Sequence, residues 1–162
     1  MDEVGRGALA GPLVAAAVIL PPDYADARIN DSKKLTPALR SRLRDDIIAA
    51  ALAWSVGVVS HEVIDEINIA QATYRAMNEA IARLNPAPEF LLVDGARFPA
   101  HAIPCACIIK GDAQYQSIAA ASIVAKTWRD EWMAGLDAEH PAYRWAHNKG
   151  YQSSSSKRAL KS

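Results

Sequence analysis

Asp2 and Glu3 stand side by side just before Gly5-Arg6-Gly7 and an apolar run from Leu13 to Leu20. Adjacent carboxylates suit a hard divalent cation, which wants oxygen ligands. Mg2+ takes one or two protein carboxylates and completes its shell with water and phosphate. Strand geometry restricts this use, because neighbours on a strand point to opposite faces. The pair can serve one site only at a strand end, where glycines let the backbone turn. Taken alone, the pair fits a frayed acidic terminus better than a metal site. Two further acids have settings of their own. Asp94 closes the apolar run Leu91-Leu92-Val93 and precedes Gly95, where α/β sheets place ligands, although Asp-Gly is equally a turn dipeptide. Asp112 follows Lys110-Gly111 ahead of a helical pattern, where a helix N-cap is the stronger reading.

The remaining polar residues offer less chemistry. Asp130 lies four residues after Lys126 and reads as a surface pair on a helix. Asp45, Asp46, Asp65 and Glu66 read as solvated helix faces. His61, His101, His140 and His147 are scattered and form no nucleophile triad motif. Cys105 and Cys107 share a strand face but lack zinc spacing. Ser122 and Lys126, one helical turn apart, share a helix face. Trp128 and Trp132 have the same spacing and read as core rather than as base-stacking rings.

These residues need elements to hold them. Val4 and its neighbours form a first strand, Gly5 to Pro12 a loop, and Leu13 to Leu20 a buried strand ended by Pro21-Pro22. Thr36-Pro37 is a helix start, cap followed by proline, and Leu39, Leu43, Ile47 and Ala50 recur at helical spacing. Trp54 to Val59 is a strand. Glu62 to Ile67 is a short helix. A longer one opens at Asn68 with Gln71 as a capping box, its apolar face made by Ile69, Met77, Ala80, Ile81 and Leu84. Phe90 to Val93 and Ala102 to Ile109 are strands, the second an edge strand because of Pro104. Ala113 to Leu136 is a long helix or helix pair. Ser153 to Ser156 reads as a linker or frayed end. Alternating strands and helices give an α/β domain.

A chain of 162 residues fits one domain. Its formal net charge of zero does not favour a polyanion binder. Yet from His140 onward Arg144, Lys149, Lys157, Arg158 and Lys161 occur with no acid, so a basic rim would adjoin an acidic centre. A solvated basic tail explains the same charges. Leu13 to Leu20 is too short to span a membrane and lacks the basic flank of a secretory signal. The two cysteines suit a reducing cytoplasm.

In sequence order, Asp2-Glu3-Val4-Gly5-Arg6-Gly7, Asp31-Ser32-Lys33-Lys34-Leu35, Leu91-Leu92-Val93-Asp94-Gly95, Lys110-Gly111-Asp112, Ser117 to Lys126, His140-Pro141 and Asn148-Lys149-Gly150-Tyr151 together resemble ribonuclease H type 2, the bacterial ribonuclease HII family. The resemblance runs from Asp2 to Tyr151. It implies a ribonuclease H-like fold with a five-stranded mixed sheet flanked by helices. Residues 1–152 would be the catalytic domain and 153–162 a mobile Ser/basic tail. It implies a metal-dependent endoribonuclease that hydrolyses the RNA strand of RNA–DNA hybrids. Such an enzyme would also cut 5′ of a ribonucleotide embedded in duplex DNA, leaving 3′-hydroxyl and 5′-phosphate ends. Asp2, Glu3, Asp94 and Asp112 map onto the family's metal tetrad, for two Mg2+ or Mn2+ ions. Gly5, Arg6 and Gly7 match the segment that reads the 2′-hydroxyl, and Tyr151 the tyrosine that packs on the neighbouring deoxyribose. Lys33, Ser122 and Lys126 match positions near substrate phosphates. The expected partners are RNA–DNA hybrid and ribonucleotide-containing duplex DNA, with no membrane, and the chain is expected to act as a monomer. The family pattern has more residues before the acidic pair, and a helix and basic tail after Tyr151. A hybrid-binding module without catalysis is therefore the alternative reading.

Overall fold

The computed structural model describes residues 1–29 and 32–159. Asp31 of the Asp31-to-Leu35 motif, and Leu160, Lys161 and Ser162 of the basic tail, lie outside the described residues. The strands are β1 (Asp2–Val4), β2 (Leu13–Ile19), β3 (Ala53–Val59), β4 (Leu91–Asp94) and β5 (Cys105–Ile108). The helices are α1 (Pro37–Ala50), α2 (His61–Arg83), α3 (Gln116–Glu139), α4 (Trp145–Asn148) and α5 (Ser154–Ala159).

β2 explains the architecture. It runs antiparallel to β1 on one side and β3 on the other, and it is buried on both faces, so its sequence is a continuous apolar run rather than an alternation. Leu13, Ala15 and Ala17 join Met77, Ala80 and Leu91 in one core. Val14, Ala16 and Val18 join Leu43, Ile47 and Ile123 in the other. Helix α2 therefore covers one face, and α1 and α3 the other. On the α2 side Gly57 is required by close approach: a Cβ there would run into the backbone carbonyl oxygen of Ala76.

The α/β class and the alternation of elements are as expected, but the sheet is not one five-stranded ladder. β1, β2 and β3 form one antiparallel sheet of three strands, while β4 and β5 pair in parallel as a separate sheet of two. Met1 bridges them: its α-amino group donates to Leu92 O at 2.7 Å, and Asp94 N donates to Met1 O at 3.0 Å. With only three residues, β1 is too short to extend that bridge into a ladder. The bridge still fixes the end of β4 beside Asp2.

Local signals explain most boundaries. Thr36 Oγ1 accepts from Leu39 N at 3.3 Å, capping α1 with Pro37 in the first turn. The expected short and long helices run together as α2, broken at Asn68, where φ is 69° and ψ 164°. That backbone region is costly for any residue but glycine. Asn68 Oδ1 offsets the cost by accepting from Ala70 N and Gln71 N at 3.0 and 3.1 Å, capping the second segment.

Three expectations are corrected. Ser154–Ala159 is helical instead of irregular, with Ser156 buried and its hydroxyl donating to Ser153 O at 3.0 Å. Trp132 is 47% exposed, not core. Trp128 packs on the core and Trp132 stacks on Trp128 with ring centroids 5.0 Å apart, so the inner ring shields the interior and the outer ring shields the inner one. Asp130 is no surface pair: its carboxylate is 14% exposed and accepts from Lys126 Nζ at 2.6 Å and from the buried Arg40 at 3.1 Å.

Candidate active site

The strand register decides how two adjacent acids share one site. Asp2 pairs with Ala16, whose face belongs to the α1/α3 core, and Glu3 pairs with Ala15, on the α2 face. Cross-strand partners point the same way, so the two carboxylates leave β1 on opposite sides. The strand ends at Val4, and both side chains reach the rim of one cavity of about 440 Å³. Asp94, at the end of β4, and Asp112, in the short 3₁₀ turn Gly111–Ala113, line the same cavity. Helix α3 begins only at Gln116 with Tyr115 as its N-cap residue, so Asp112 does not cap it.

The same wall carries Lys33, Ser122, Lys126 and Tyr151, together with Lys110, which was not among the expected site residues. Its place between the strand run and Gly111-Asp112 was the available signal. Gly5, Arg6 and Gly7 are not on that wall. Arg6 faces a neighbouring cavity of about 220 Å³ that shares Glu3 and Asp94 and is otherwise lined from α2 and the loop after β4. The loop still meets Tyr151, since a Cβ built on Gly7 would lie 4.0 Å from Tyr151 Cε1.

Electrostatics distinguish Asp2 and Glu3 from the surface acids. Asp2 is 7% exposed, and its carboxyl is pushed up to about 7, first by burial, then by the charges of Glu3 and Asp94. Hydrogen bonds from Ser122 and from Glu3 N (2.8 Å) pull the other way. Burial also raises Glu3, helped by Asp94 and opposed by Arg6, whose guanidinium lies 3.6 Å away. Asp94 Oδ1 accepts from Gly111 N at 2.6 Å, locking the Asp112 turn against β4. Along the same wall Ser122 shares a hydrogen bond with Ser32 at 2.8 Å. Burial lowers the Lys126 ammonium, and Asp130 opposes that shift. Arg40, unremarked in the sequence, donates to Ser32 O at 2.9 Å and so fixes the turn that carries Lys33.

Donor chemistry and crowding fit a hard dication: oxygen ligands only, close enough that Glu3 and Asp94 raise Asp2 and Asp94 raises Glu3, beside room for water and phosphate. The cage is not closed, since among the described residues no three His, Cys, Asp or Glu side chains converge tightly enough to hold an ion by themselves. A cation that keeps several waters does not require such closure.

The ribonuclease HII family profile matches residues 1–162. The chain belongs to the ribonuclease HII family. Ribonuclease HII of Parabacteroides distasonis is 52% identical over 161 residues, covering 99% of this chain and 81% of that protein. Ribonuclease HII of Ruegeria pomeroyi is 53% identical, covering 99% of this chain and 68% of that protein. Among solved structures, ribonuclease H2 from Pyrococcus horikoshii superposes with a TM-score of 0.82 at 25% identity, over 98% of this chain and 82% of that one. A ribonuclease HIII solved in complex with Mn2+ shares the fold at a TM-score of 0.69, over 99% of this chain and 68% of that one. Membership in the ribonuclease HII family makes the chain an endoribonuclease, a hydrolase acting on RNA–DNA hybrids. Among the described residues no helix is long and apolar enough to cross a membrane.

Proposed function

We propose that this member of the ribonuclease HII family is metal-dependent and cuts on the 5′ side of a ribonucleotide, including a single one embedded in duplex DNA, leaving 3′-hydroxyl and 5′-phosphate ends. The supporting observation is convergence. Asp2, Glu3, Asp94 and Asp112, from three separate points of the fold, line one cavity with Lys33, Ser122, Lys126 and Tyr151. The four carboxylates are the residues that would hold two Mg2+ or Mn2+ ions. Such ions stabilise both the attacking and the leaving oxygen of an in-line displacement.

The chain's own groups do the rest. The carboxylates offset cation repulsion and, where ionised, accept hydrogen bonds from the attacking water. Asp2, raised to about 7 without a cation, must be ionised to serve, so the site gains ligand charge as pH rises through neutrality. Lys33, Ser122 and Lys126 bind the phosphates flanking the scissile bond. Asp130 and Arg40 hold the Lys126 ammonium in one place. Gly5-Arg6-Gly7 brings backbone N–H and C=O groups up to the 2′-hydroxyl, which both donates and accepts. The Tyr151 ring packs on the next sugar, where an added hydroxyl would not fit. A reducing cytoplasm and action as a monomer complete the proposal; both described cysteines are free.

The test is a duplex bearing one ribonucleotide, incubated with protein and Mg2+ or Mn2+, with the product ends identified. Cleavage 5′ of the ribonucleotide with a 3′-hydroxyl upholds the reading. Cleavage at another bond, or equal cleavage without divalent metal, rejects it.

A further inference from the structure

Arg129 has no part in the chemistry above, yet it ties together the two loops on which the substrate reading depends. It lies on α3 and is fully buried. Its guanidinium donates to three backbone carbonyls: Nε to Pro12 O at 2.9 Å, Nη2 to Ala10 O at 2.9 Å, and Nη1 to Lys149 O at 2.7 Å. The first two belong to the loop that starts with Gly5-Arg6-Gly7, the third to the loop that carries Tyr151. The guanidinium carbon also lies 5.3 Å from the centre of the Tyr151 ring. Gly5, at φ +107°, leaves room for the arginine: a Cβ there would come within 2.8 Å of Nε. One direct bond also joins the loops, Leu9 N donating to Gly150 O at 2.8 Å.

This is an unusual use of a charge. Among the described residues no carboxylate forms an ion pair with Arg129. Burying a cation without a paired anion is costly, and an apolar side chain would fill the space more cheaply. What an apolar side chain cannot supply is a rigid planar fork with donors in fixed directions. A fork bonded to both loops sets the distance between them.

We propose that Arg129 is a positioning residue that fixes the gap between the Gly5-Arg6-Gly7 loop and Tyr151, and so sets discrimination for a ribonucleotide followed by a deoxyribonucleotide without touching the substrate. The proposal rests on the reading of those two loops given under the proposed function. It predicts that junction recognition is more sensitive than hydrolysis itself to the geometry of one buried side chain. Lysine keeps the charge and most of the stem but offers a single point of donation, so it cannot reach three diverging carbonyls at once.

The test uses Arg129→Lys and, as a neutral variant of similar volume, Arg129→Met. Cleavage rates are measured on a duplex with one ribonucleotide and on a uniform RNA–DNA hybrid. Hydrogen exchange is followed at the Leu9 and Tyr151 amides, both hydrogen-bonded in the loops, against core amides of β2 and α3. In Arg129→Lys the single-ribonucleotide rate should fall about tenfold or more relative to the hybrid rate, since ~1 Å of misplacement can cost on the order of a hundredfold. Exchange at Leu9 and Tyr151 should quicken while the core amides stay protected. An unchanged rate ratio, or an equal fall on both substrates, overturns the proposal. If Arg129→Met does not fold, Arg129→Lys decides alone. If the unsubstituted protein cuts neither duplex, the proposed function fails by itself. In that case faster loop exchange in Arg129→Lys still supports the clamp, and unchanged exchange overturns it.

Discussion

Two charged regions of the molecule, the buried Arg129 and the Asp2-Glu3-Asp94 cluster, meet the same physical problem in opposite ways. Arg129 is a buried cation whose donors are met by three carbonyls of the protein itself. Asp2, Glu3 and Asp94 are crowded carboxylates: burial raises Asp2 and Glu3, Glu3 and Asp94 push Asp2 further, and Asp94 pushes Glu3. Arg6 answers part of that charge from 3.6 Å, the Met1 α-amino group attracts all three carboxylates, and hydrogen bonds from Ser122, Glu3 N and Gly111 N reach Asp2 and Asp94, yet Asp2 and Glu3 stay raised. A charge satisfied internally marks scaffold, because its partners are fixed on folding. A charge left unbalanced costs stability and persists where a ligand is to balance it.

The sharpest break in that contrast is at the anions. Asp94→Asn keeps shape and removes a ligand charge. Turnover should drop by more than the ~10–100-fold seen when a residue merely supporting a metal ligand is lost. The melting temperature of the metal-free protein should hold or rise. Turnover within a few-fold of the parent would remove Asp94 from the ion site.

Next in size is the loop side. Tyr151→Ala removes the ring that meets both Arg129 and the cavity. If the packed ring is worth ~1–3 kcal/mol, as stacked bases are, cutting at a single embedded ribonucleotide slows on the order of tenfold to a hundredfold. Equal slowing on every hybrid substrate would show a general packing defect rather than a role at the junction.

The two regions also differ in how far the sequence disclosed them. Local context singled the carboxylates out without assigning them: Asp94 closes an apolar run before glycine and Asp2-Glu3 precedes a glycine-flanked arginine, but a turn and a frayed terminus fit those settings as well or better. Family resemblance then joined them. Thr36 and Asn68 were legible for the same reason, since caps act within a few residues. Arg129 was not. An arginine beside an aspartate on a helix reads as solvated surface, and its carbonyl partners at Ala10 and Pro12 are more than a hundred positions away in sequence. Arg40 and the Met1 bridge between the sheets stayed hidden on the same grounds. Trp132 misled because spacing on a helix shows which side chains are neighbours but not which of two stacked rings faces water.

A smaller effect sharpens the electrostatic side. The Asp2 carboxyl lies above its unfolded value of 3.8, at about 7. Between those values the folded protein binds more protons than the unfolded chain, so stability falls as pH rises through that window. The Met1 α-amino group, lowered from 8.0 to about 6 by burial, has the opposite slope between pH 6 and 8. Comparing Asp2→Asn with the parent isolates the carboxylate. Without divalent metal the melting temperature of Asp2→Asn should gain on the parent from pH 5 to pH 7.5, each 1 kcal/mol appearing as about 2–4 °C. Saturating Mg2+ should shrink the gain, because the cation favours the ionised parent. A difference that does not change with pH would mean that burial and the neighbouring carboxylates do not raise Asp2.

The smallest effect concerns the basic stretch after His140. Hybrid affinity should weaken with salt at a slope of about −2 to −4 in log K against log salt, from a few phosphate contacts at roughly −0.9 each for B-form DNA. The contacts proposed here come from the cavity wall, at Lys33 and Lys126. Lys157 and Arg158 lie instead on α5, exposed, and neither lines the carboxylate cavity. Lys157→Ala with Arg158→Ala should therefore leave the slope of a hybrid titration at fixed Mg2+ within about half a unit of the parent. A flattening by one to two units would place α5 against the phosphates and extend the interface beyond the loops that Arg129 ties together.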